Sequence, residues 1–331
     1  MKNPDIENIK SILIIRLSSL GDILLSTPLI RTLKTRYAHI EIDIIVKRQY
    51  YDVIAHNPHL RNKYSFSSAK RKELMSELKK QNYDLIIDLQ NNINSRKLTA
   101  SLKGKTVRFK KRSVEKFLLV NTKINLLKDA PQIPARYAAA IEGFDLDDSG
   151  LDIVSASGPS EFLLTNENYI GICPGSRHFT KMWPLDYYVK LCRLLIKNGW
   201  NILLFGGLTD RKICLEIKNQ VPEAINLQND DDILQTASNM ILCMAIYCND
   251  SGLMHTACAA EIPVIAFFGS TVKEFGFTPY KNKSIVLENE SLSCRPCSHI
   301  GKSHCPKKHF KCMIDITPQR AYEALDEVLK S

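Results

Sequence analysis

The chain lacks any long apolar run, which argues against a membrane-spanning protein. No uninterrupted apolar stretch reaches the ~18–20 residues that a bilayer-spanning helix needs, and the longest, around Met240–Cys248, is typical of a buried strand. The start, Met1 to Asp5, has no apolar stretch of the signal-peptide type, so we expect a cytoplasmic protein. With 44% hydrophobic and 24% charged residues over 331 positions, the sequence is long enough for two globular domains.

The glycine fingerprint of dinucleotide-binding oxidoreductases is also missing. That class requires GxGxxG after its first strand and an acidic residue about 20 positions later. The corresponding turn here reads SSLGD, at Ser18–Asp22. The sequence therefore lacks the motif expected of a Rossmann-type oxidoreductase, which argues against that class.

A disulfide framework is not expected, although the chain has ten cysteines, because cytoplasmic thiols stay reduced. Six lie scattered in apolar segments and are predicted to be small core residues: Cys173, Cys192, Cys214, Cys243, Cys248 and Cys258. The other four follow C-x2-C-x7-C-x6-C spacing: Cys294, Cys297, Cys305 and Cys312. This spacing is typical of a structural zinc site. A redox-active or merely packed cluster is the alternative, and no catalytic role is expected.

The basic charge is confined to the N-terminal half. Residues 1–157 contain 27 Lys and Arg against 17 Asp and Glu, whereas residues 158–331 contain 18 of each. The basic half would attract an anionic partner such as nucleic acid, anionic lipid headgroups or a phosphorylated substrate. A solvated surface that aids solubility is the alternative.

Short β-branched runs alternate with amphipathic stretches, twice along the chain. The runs Ser11–Leu17, Glu41–Val46 and Tyr83–Leu89 predict strands in the first half, and Tyr169–Pro174, Asn201–Phe205, Met244–Cys248 and Pro263–Phe268 do so in the second. Helices are predicted between them, for example at Leu185–Asn198, and a last one runs from Thr317 to about Lys330. This pattern indicates two parallel, doubly wound α/β domains, residues 1–157 and 158–331. The acidic, Ser/Gly-rich segment Asp145–Pro159 is the predicted linker.

Ligands of such sheets collect at the carboxyl ends of the strands, so the loops there are the candidates for chemistry. The first is Ser18–Asp22, in which Gly21 permits a tight turn. Asp22 suits a helix cap, or a carboxylate that takes a proton from an attacking hydroxyl; both interpretations stay open. The acidic runs at 147–148 and 230–232 are interpreted as solvated-loop and helix-capping residues.

The second loop is Cys173–Pro184. Gly175 and Ser176 offer backbone amides and a hydroxyl, and Arg177 and Lys181 add positive charge, which together resemble a pyrophosphate cradle. Trp183 is predicted to anchor the helix entry by packing. A weaker signal is the Gly206-Gly207 pair, which allows a ligand to approach the backbone or simply makes a tight turn.

The third loop, Asn249–His255, follows a predicted strand and opens a helix. Asp250 and Ser251 stand where a helix N-cap is expected, so capping is one interpretation. With Gly252 and His255 they also suit an anionic nucleotide sugar at a helix N-terminus. His255 fits equally a core histidine or a phosphate ligand.

Together these loops resemble the heptosyltransferase family. The resemblance rests on five segments in the family's order: RLSSLGDILLSTPLIRTL (Arg16–Leu33), PGSRHFTKMWP (Pro174–Pro184), LLFGG (Leu203–Gly207), NDSGLMHTACA (Asn249–Ala259) and FFGST (Phe267–Thr271). It implies the GT-B architecture, in which two doubly wound Rossmann-like domains face a central cleft. The cysteine cluster and the NDSG loop are more similar to those of the family's enzyme that adds the second heptose than to those of the enzyme that adds the first.

The resemblance implies residue roles. Asp22 would be the catalytic base of an inverting, one-step transfer, and Lys181 would stabilise charge on the departing ADP. The implied donor residues are Ser176, Lys181, Asp250, Ser251, Gly252 and His255. The loop residues Gly175, Arg177, Gly206 and Gly207 are predicted donor residues from their position in the same loops. The candidate acceptor residues lie in the basic first domain: Ser19 and Gly21 in the first loop, and Lys110, Lys111 and Arg112 in the basic run. Arg61 and Arg96 are added because they follow predicted strand ends.

The implied partners are ADP-heptose as donor and lipid A–Kdo or heptosylated lipopolysaccharide core as acceptor, at the inner face of the cytoplasmic membrane. The basic run Lys103–Lys116 is a candidate for acceptor or membrane contact. No cofactor is expected for catalysis, and no nucleic acid, because that alternative leaves the phosphate-cradle loops unexplained. A transferase of the same family with another nucleotide sugar or glycan acceptor remains the closest alternative.

Overall fold

Runs of β-branched and leucine residues form two separate parallel sheets. The computed structural model describes residues 6–156, 158–164 and 167–330. The chain divides into two compact units: the first is Met1–Arg112 with Pro131–Val154, and the second is Ser113–Ala130 with Ser155–Ser331.

The first unit contains a five-stranded parallel sheet of order β3-β2-β1-β4-β5. Its strands are β1 Ser11–Ile15, β2 Glu41–Lys47, β3 Lys63–Phe66, β4 Leu85–Asp88 and β5 Lys105–Arg108. The helices of this unit are α1 Leu20–Leu24, α2 Thr27–Arg36, α3 Asp52–Ala55, α4 Arg71–Lys80, α5 Ile93–Thr99 and α7 Ile133–Ala138. The three strands with apolar runs were predicted, whereas the half-buried edge strands β3 and β5 were not.

The second unit contains a six-stranded sheet of order β11-β10-β9-β6-β7-β8. Its strands are β6 Tyr169–Cys173, β7 Asn201–Leu204, β8 Ile225–Asn226, β9 Cys243–Asn249, β10 Val264–Phe268 and β11 Ser284–Glu288. Its helices are α6 Ser113–Thr122, α8 Leu185–Lys197, α9 Arg211–Gln220, α10 Ile233–Met240, α11 Gly252–Ala259, α12 Lys311–Ile314 and α13 Pro318–Lys330. The four predicted strands are present, and the edge strands β8 and β11 were missed.

Residues 113–130 belong to the second unit, whereas the predicted division assigned them to the first domain. Leu119 and Leu127 pack with Phe275, so hydrophobic burial attaches α6 to the second unit. The predicted boundary at 157/158 falls on Ser157, which lies outside the described residues.

The acidic segment before that boundary is held by an ion-pair cluster. The Arg31 guanidinium on α2 donates to Asp147 Oδ1 at 2.8 Å and also pairs with Asp152. Asp147 was interpreted as a solvated-loop residue, and that interpretation is wrong because its carboxylate has a half-buried cationic partner.

Packing around Trp183 confirms its predicted anchoring role. The indole stacks on Phe267 with ring centroids 4.3 Å apart, and its Nε1 donates to the Ile316 carbonyl at 2.9 Å. The six cysteines predicted as core residues are all buried. Thr317 accepts a hydrogen bond from the Arg320 amide at the start of α13, as predicted. Among the described residues, none of the helices is long and apolar enough to cross a membrane.

Candidate active site

Asp22 stands at the carboxyl end of β1, in the first turn of α1. Its Oδ2 accepts hydrogen bonds from the Ser19 amide at 3.1 Å and the Ser19 hydroxyl at 2.8 Å. The capping interpretation is therefore correct for this oxygen. Gly21 is buried in the same turn, which closes the chain tightly over the end of the strand.

The second oxygen of Asp22 has partners that the sequence did not reveal. Arg16 Nη2 lies 2.6 Å from Oδ1, and the Tyr137 hydroxyl donates to it at 3.1 Å. Burial by itself would raise the pKa of Asp22, but the positive charge of Arg16 and the two Ser19 hydrogen bonds outweigh it and lower the pKa. The group is thus an ionised carboxylate, 17% exposed, at a strand end.

Further cationic side chains of the first unit follow the strands β4 and β5 in the chain. Lys111 is close enough to Arg16, Asp88 and Asp22 for charge to affect its pKa, which burial and then Arg16 lower. Arg96 Nε donates to the Asn91 side chain at 3.1 Å on the same edge of the sheet. Predicted acceptor residues Lys110, which is exposed, and Arg112, which is half-buried, follow β5 in the chain.

Arg61 does not belong to this group. It precedes β3 and forms a bidentate pair with the fully buried Asp43, at 2.9 and 2.7 Å, to which Tyr83 also donates. Because β3 starts after Arg61, this pair lies at the amino edge of the sheet, opposite to Asp22. The prediction that Arg61 follows a strand end was wrong, because Arg61 precedes β3.

A cavity of about 470 Å³ opens beyond the carboxyl ends of β2 and β3. Its lining is Lys47, Arg48, Gln49, Phe66, Ser67 and Ser68. Both cationic side chains are exposed. Sequence analysis missed this basic cavity because the strand β3, which ends at Phe66, was not predicted.

The second unit brings Lys181 to Asp250. Lys181 Nζ lies 2.6 Å from Asp250 Oδ2, and the Thr271 hydroxyl donates to the same oxygen at 2.7 Å. The Lys181 side chain is 14% exposed and that of Asp250 8%. Three loops, after β6, β9 and β10, therefore meet in one cluster. Thr271 belongs to the FFGST segment, but its role could not be predicted from the sequence.

The N-cap residue of α11 does not cap the helix with its side chain. Ser251 is the N-cap residue, yet its side chain makes no capping bond. The hydroxyls of Ser251 and Ser270 are buried without a hydrogen-bond partner among the described residues. His255 is buried one turn into the helix, and Gly252 begins it. Capping therefore does not explain Asp250 and Ser251.

Asn249 ties this helix to the predicted pyrophosphate cradle. Its side-chain amide donates to the carbonyls of Pro174 and Gly175 at 2.8 and 3.2 Å and accepts from the Trp183 amide at 2.9 Å. The next two residues of this loop are Ser176, which is half-buried, and Arg177, which is exposed.

The glycines of this edge make room for a carboxylate. A β-carbon at Gly175 would collide with the Asp210 carboxyl group, and one at Gly206 would crowd the Asp210 β-carbon. The Gly207 amide donates to Asp210 Oδ2 at 3.0 Å. Burial raises the pKa of Asp210. Gly175 and Gly206 thus fit close packing against Asp210, a candidate residue that sequence analysis missed, and a β-carbon at Gly207 would collide with Asp231.

The cysteine segment packs against the loops of the second unit. No group of three or more His, Cys, Asp and Glu side chains in the described part of the chain is arranged to hold a metal ion. Cys294 Sγ has His309 Nε2 at 3.8 Å. Burial raises the pKa of Cys312 and the other three thiols raise it further, so the four cysteines lie near one another. The zinc site that the spacing suggested stays a prediction.

Arg295 and Thr180 connect this segment to the site loops. The Arg295 guanidinium donates to the carbonyls of Phe268, Gly269, Thr271 and Asn289 at 2.6–3.1 Å and pairs with Glu288. Thr180, next to Lys181, exchanges hydrogen bonds with the Lys302 backbone at 3.1 and 2.8 Å. The Cys297 amide donates to the Ser270 carbonyl at 3.2 Å. The loops that carry Lys181 and Thr271 are thus braced from one side.

The fold is the GT-B architecture of nucleotide-sugar transferases. The chain is similar to the structure of the ADP-heptose LPS heptosyltransferase II of Escherichia coli, with a TM-score of 0.74 and 25% identity over 97% of this chain and 98% of that one. An E. coli heptosyltransferase solved with ADP has the same fold, with a TM-score of 0.68 and 20% identity over 97% and 98% of the two chains.

The chain belongs to glycosyltransferase family 9 (heptosyltransferase), whose profile matches residues 71–308. It is 30% identical to the lipooligosaccharide heptosyltransferase 2 of Haemophilus influenzae over 352 residues, which cover 96% of this chain and 99% of that protein. The predicted family and its transferase activity are confirmed, and the names of both similar proteins, numbered 2 and II, agree with the expected closeness to the second enzyme.

Proposed function

We propose that this protein is an inverting transferase that moves heptose from ADP-heptose to the lipopolysaccharide inner core. The observation that carries the proposal is the buried cluster of Lys181, Asp250 and Thr271, flanked by the unpartnered hydroxyls of Ser251 and Ser270. A cation, helix N-terminal amides and buried hydroxyl donors suit a diphosphate. The name of the similar E. coli structure, an ADP-heptose LPS heptosyltransferase II, supports ADP-heptose as the source of that diphosphate.

On the donor side, Lys181 would exchange part of its contact with Asp250 for a diphosphate oxygen. Its charge then stabilises the negative charge that develops on ADP as the bond to the sugar breaks. Ser251 and Ser270 would each gain an acceptor for a hydroxyl that now lacks one. Asp210 is a carboxylate near Gly175, which suits donor hydroxyls rather than phosphates. No catalytic metal is needed in this arrangement.

On the acceptor side, Asp22 is the proposed base. The acceptor hydroxyl oxygen attacks the anomeric carbon, the bond between that carbon and the ADP oxygen breaks, and the hydroxyl proton passes to Asp22. A single in-line displacement inverts the configuration and forms no covalent sugar–enzyme intermediate. Because four donors already face the carboxylate, the acceptor hydroxyl must displace one of them.

The inner-core acceptor carries phosphate and carboxylate groups at the inner face of the cytoplasmic membrane. Lys111, Arg96 and the basic cavity lined by Lys47 and Arg48 supply positive charge for these groups. We place the reaction in the cytoplasm at that surface and expect no role for nucleic acid. No observation favours the alternative of another nucleotide sugar or glycan acceptor.

Calorimetric titration with ADP, ADP-heptose, UDP-glucose and NAD tests the donor assignment. We expect ADP and ADP-heptose to bind selectively. Binding of UDP-glucose instead would keep the fold and the Asp22 mechanism but overturn the heptose assignment, and a preference for NAD alone would overturn the transferase assignment.

Substitution of Lys181 tests the site itself. Lys181→Ala removes the buried cation, so ADP affinity should fall at least about tenfold, a loss of about 1.4 kcal/mol. The matched control is Lys190→Ala, since the Lys190 side chain is 60% exposed and its contacts with Asp186 and the Tyr187 ring lie on the surface of α8. An unchanged dissociation constant for Lys181→Ala would remove this residue from the donor site.

A further inference from the structure

Helix α6 has an apolar face that points to solvent. Val114 and Phe117 are 69% and 64% exposed, and Leu118, one residue on, extends the same face at half burial. The opposite face contains Leu119, which packs with Leu127 and Phe275. The helix is therefore anchored by one apolar face while a second one has no partner among the described residues.

The segment that follows α6 continues this surface. Ile124 is 52% exposed and Leu126 is 58% exposed, although the next residue, Leu127, is fully buried. Large apolar side chains exposed singly are ordinary on protein surfaces. Four of them within residues 114–126, on a short stretch anchored at both ends, form a local patch that needs an explanation.

The charge of the same part of the chain indicates what covers the patch. Residues 103–128 contain nine Lys and Arg and one Asp or Glu. Lys110, three residues before the helix, and Lys128, two residues after Leu126, are exposed. A second copy of this chain would bring the same positive charge against itself, whereas an anionic surface would be complementary.

We infer that residues 114–126 form a membrane-docking surface for a bilayer that contains anionic lipid. Val114, Phe117, Ile124 and Leu126 enter the boundary between headgroups and acyl chains, and the flanking lysines contact anionic headgroups. A short amphipathic surface of this kind binds reversibly and at the interface. It suits an enzyme in whose described residues no helix is long and apolar enough to cross a bilayer.

The inference extends the proposed function but does not depend on it for its test. A lipid-borne acceptor gives such a surface a purpose, because docking would bring the enzyme to the depth of the core sugars. Vesicle binding is measured without donor or acceptor. It can therefore fail while sugar transfer to a delipidated core oligosaccharide succeeds, or succeed while that transfer fails.

The experiment is co-sedimentation of the full chain with vesicles of phosphatidylethanolamine and phosphatidylglycerol, compared with phosphatidylcholine alone. We expect binding to the anionic vesicles that weakens with salt. Phe117→Glu and Ile124→Glu should each lower vesicle affinity about tenfold or more, because a charge replaces an inserted apolar group. The matched control is Leu215→Glu, since Leu215 is an exposed apolar residue of the same unit, at 51%, on α9.

Three outcomes would overturn the inference. One is a wild-type protein that binds neither kind of vesicle. Another is an equal loss of binding in the Leu215→Glu control, which would indicate a general effect of charge. The third is self-association that Phe117→Glu abolishes, measured by light scattering, without any vesicle binding. Because the substituted side chains are exposed, thermal unfolding and ADP binding should stay at wild-type values and show that the variants are folded.

Discussion

Replacing Asp22 with asparagine separates its two roles. Asparagine keeps the shape of the side chain but has one acceptor oxygen instead of two. The carboxylate of Asp22 faces four donors: the Ser19 amide and hydroxyl, the Arg16 guanidinium and the Tyr137 hydroxyl. In Asp22→Asn, one side of the group presents an amide N–H to donors, and Arg16 loses its anionic partner.

The expected cost follows from the burial of this pair. The side chains of Arg16 and Asp22 are 8% and 17% exposed, so solvent screens them little. Removing one partner of a buried ion pair costs about 3–5 kcal/mol, and the retained amide oxygen places the expected loss near the lower limit, about 3 kcal/mol. For a unit of this size that lowers the unfolding midpoint by roughly 6–12 °C. Turnover should fall by about 10²–10⁴-fold because the base is lost.

The assay measures ADP release from ADP-heptose in the presence of core acceptor, well below the unfolding midpoint, together with ADP affinity by calorimetry. ADP affinity should stay near the wild-type value, because the proposed donor residues lie on the other unit. The matched control is Ser19→Ala, which removes the 2.8 Å hydrogen bond to Asp22 but keeps the carboxylate. It should lose about 1 kcal/mol of stability and retain turnover within about tenfold.

Two results would refute the reasoning. If Asp22→Asn retains more than about a tenth of wild-type turnover, Asp22 is not the general base, whose loss costs at least about a hundredfold. If Ser19→Ala loses as much turnover as Asp22→Asn, the helix cap rather than the proton acceptor explains the defect. Lost ADP binding in Asp22→Asn would indicate that the whole structure had been disturbed.

Three further substitutions test the surroundings of the site. Gly175→Ala places a methyl group where the Asp210 carboxyl lies, so ADP-heptose affinity should fall by about tenfold or more; wild-type affinity in calorimetry would contradict the packing argument. Arg295→Lys replaces a guanidinium that holds four loop carbonyls, so both the thermal midpoint and ADP affinity should fall, and an unchanged affinity at a lower midpoint would restrict the residue to a structural role. Because Arg16 and hydrogen bonding hold the pKa of Asp22 below its ordinary value near 3.9, wild-type kcat/KM should show no acid limb from this group above about pH 4. Arg16→Gln removes the charge that lowers the pKa, so an acid limb should move up in pH; an unchanged profile would show that Arg16 does not tune the base.

The lowered pKa of Asp22 also makes the stability of the folded protein depend on pH. A carboxylate whose pKa is lowered in the folded protein contributes stability above its unfolded pKa, near 3.9, and loses it as the pH falls through the folded value. The contribution of Asp22 is therefore complete at neutral pH and disappears only in acid.

Hydrophobic pattern predicted the central strands of both sheets but not their edges. Strands β1 and β6 are buried along nearly their whole length and read as continuous apolar runs. Strands β3 and β5 are half-buried and contain lysine or arginine, so nothing in their composition distinguishes them from loops. The missed edge strand β3 is also why Arg61 was assigned to the wrong edge and the basic cavity was overlooked.

The sequence by itself determined the central strands of both sheets, three loops at strand ends and the family, because these depend on local periodicity and on short motifs. Only the tertiary structure decided which side chains meet in those loops. Tyr137 reaches Asp22 across 115 positions, and Thr271 reaches Asp250 across 21. Contacts of this kind form only when distant segments pack together, and they leave no periodic pattern in the sequence. The same holds for α6, whose attachment to the second unit depends on burial against Phe275.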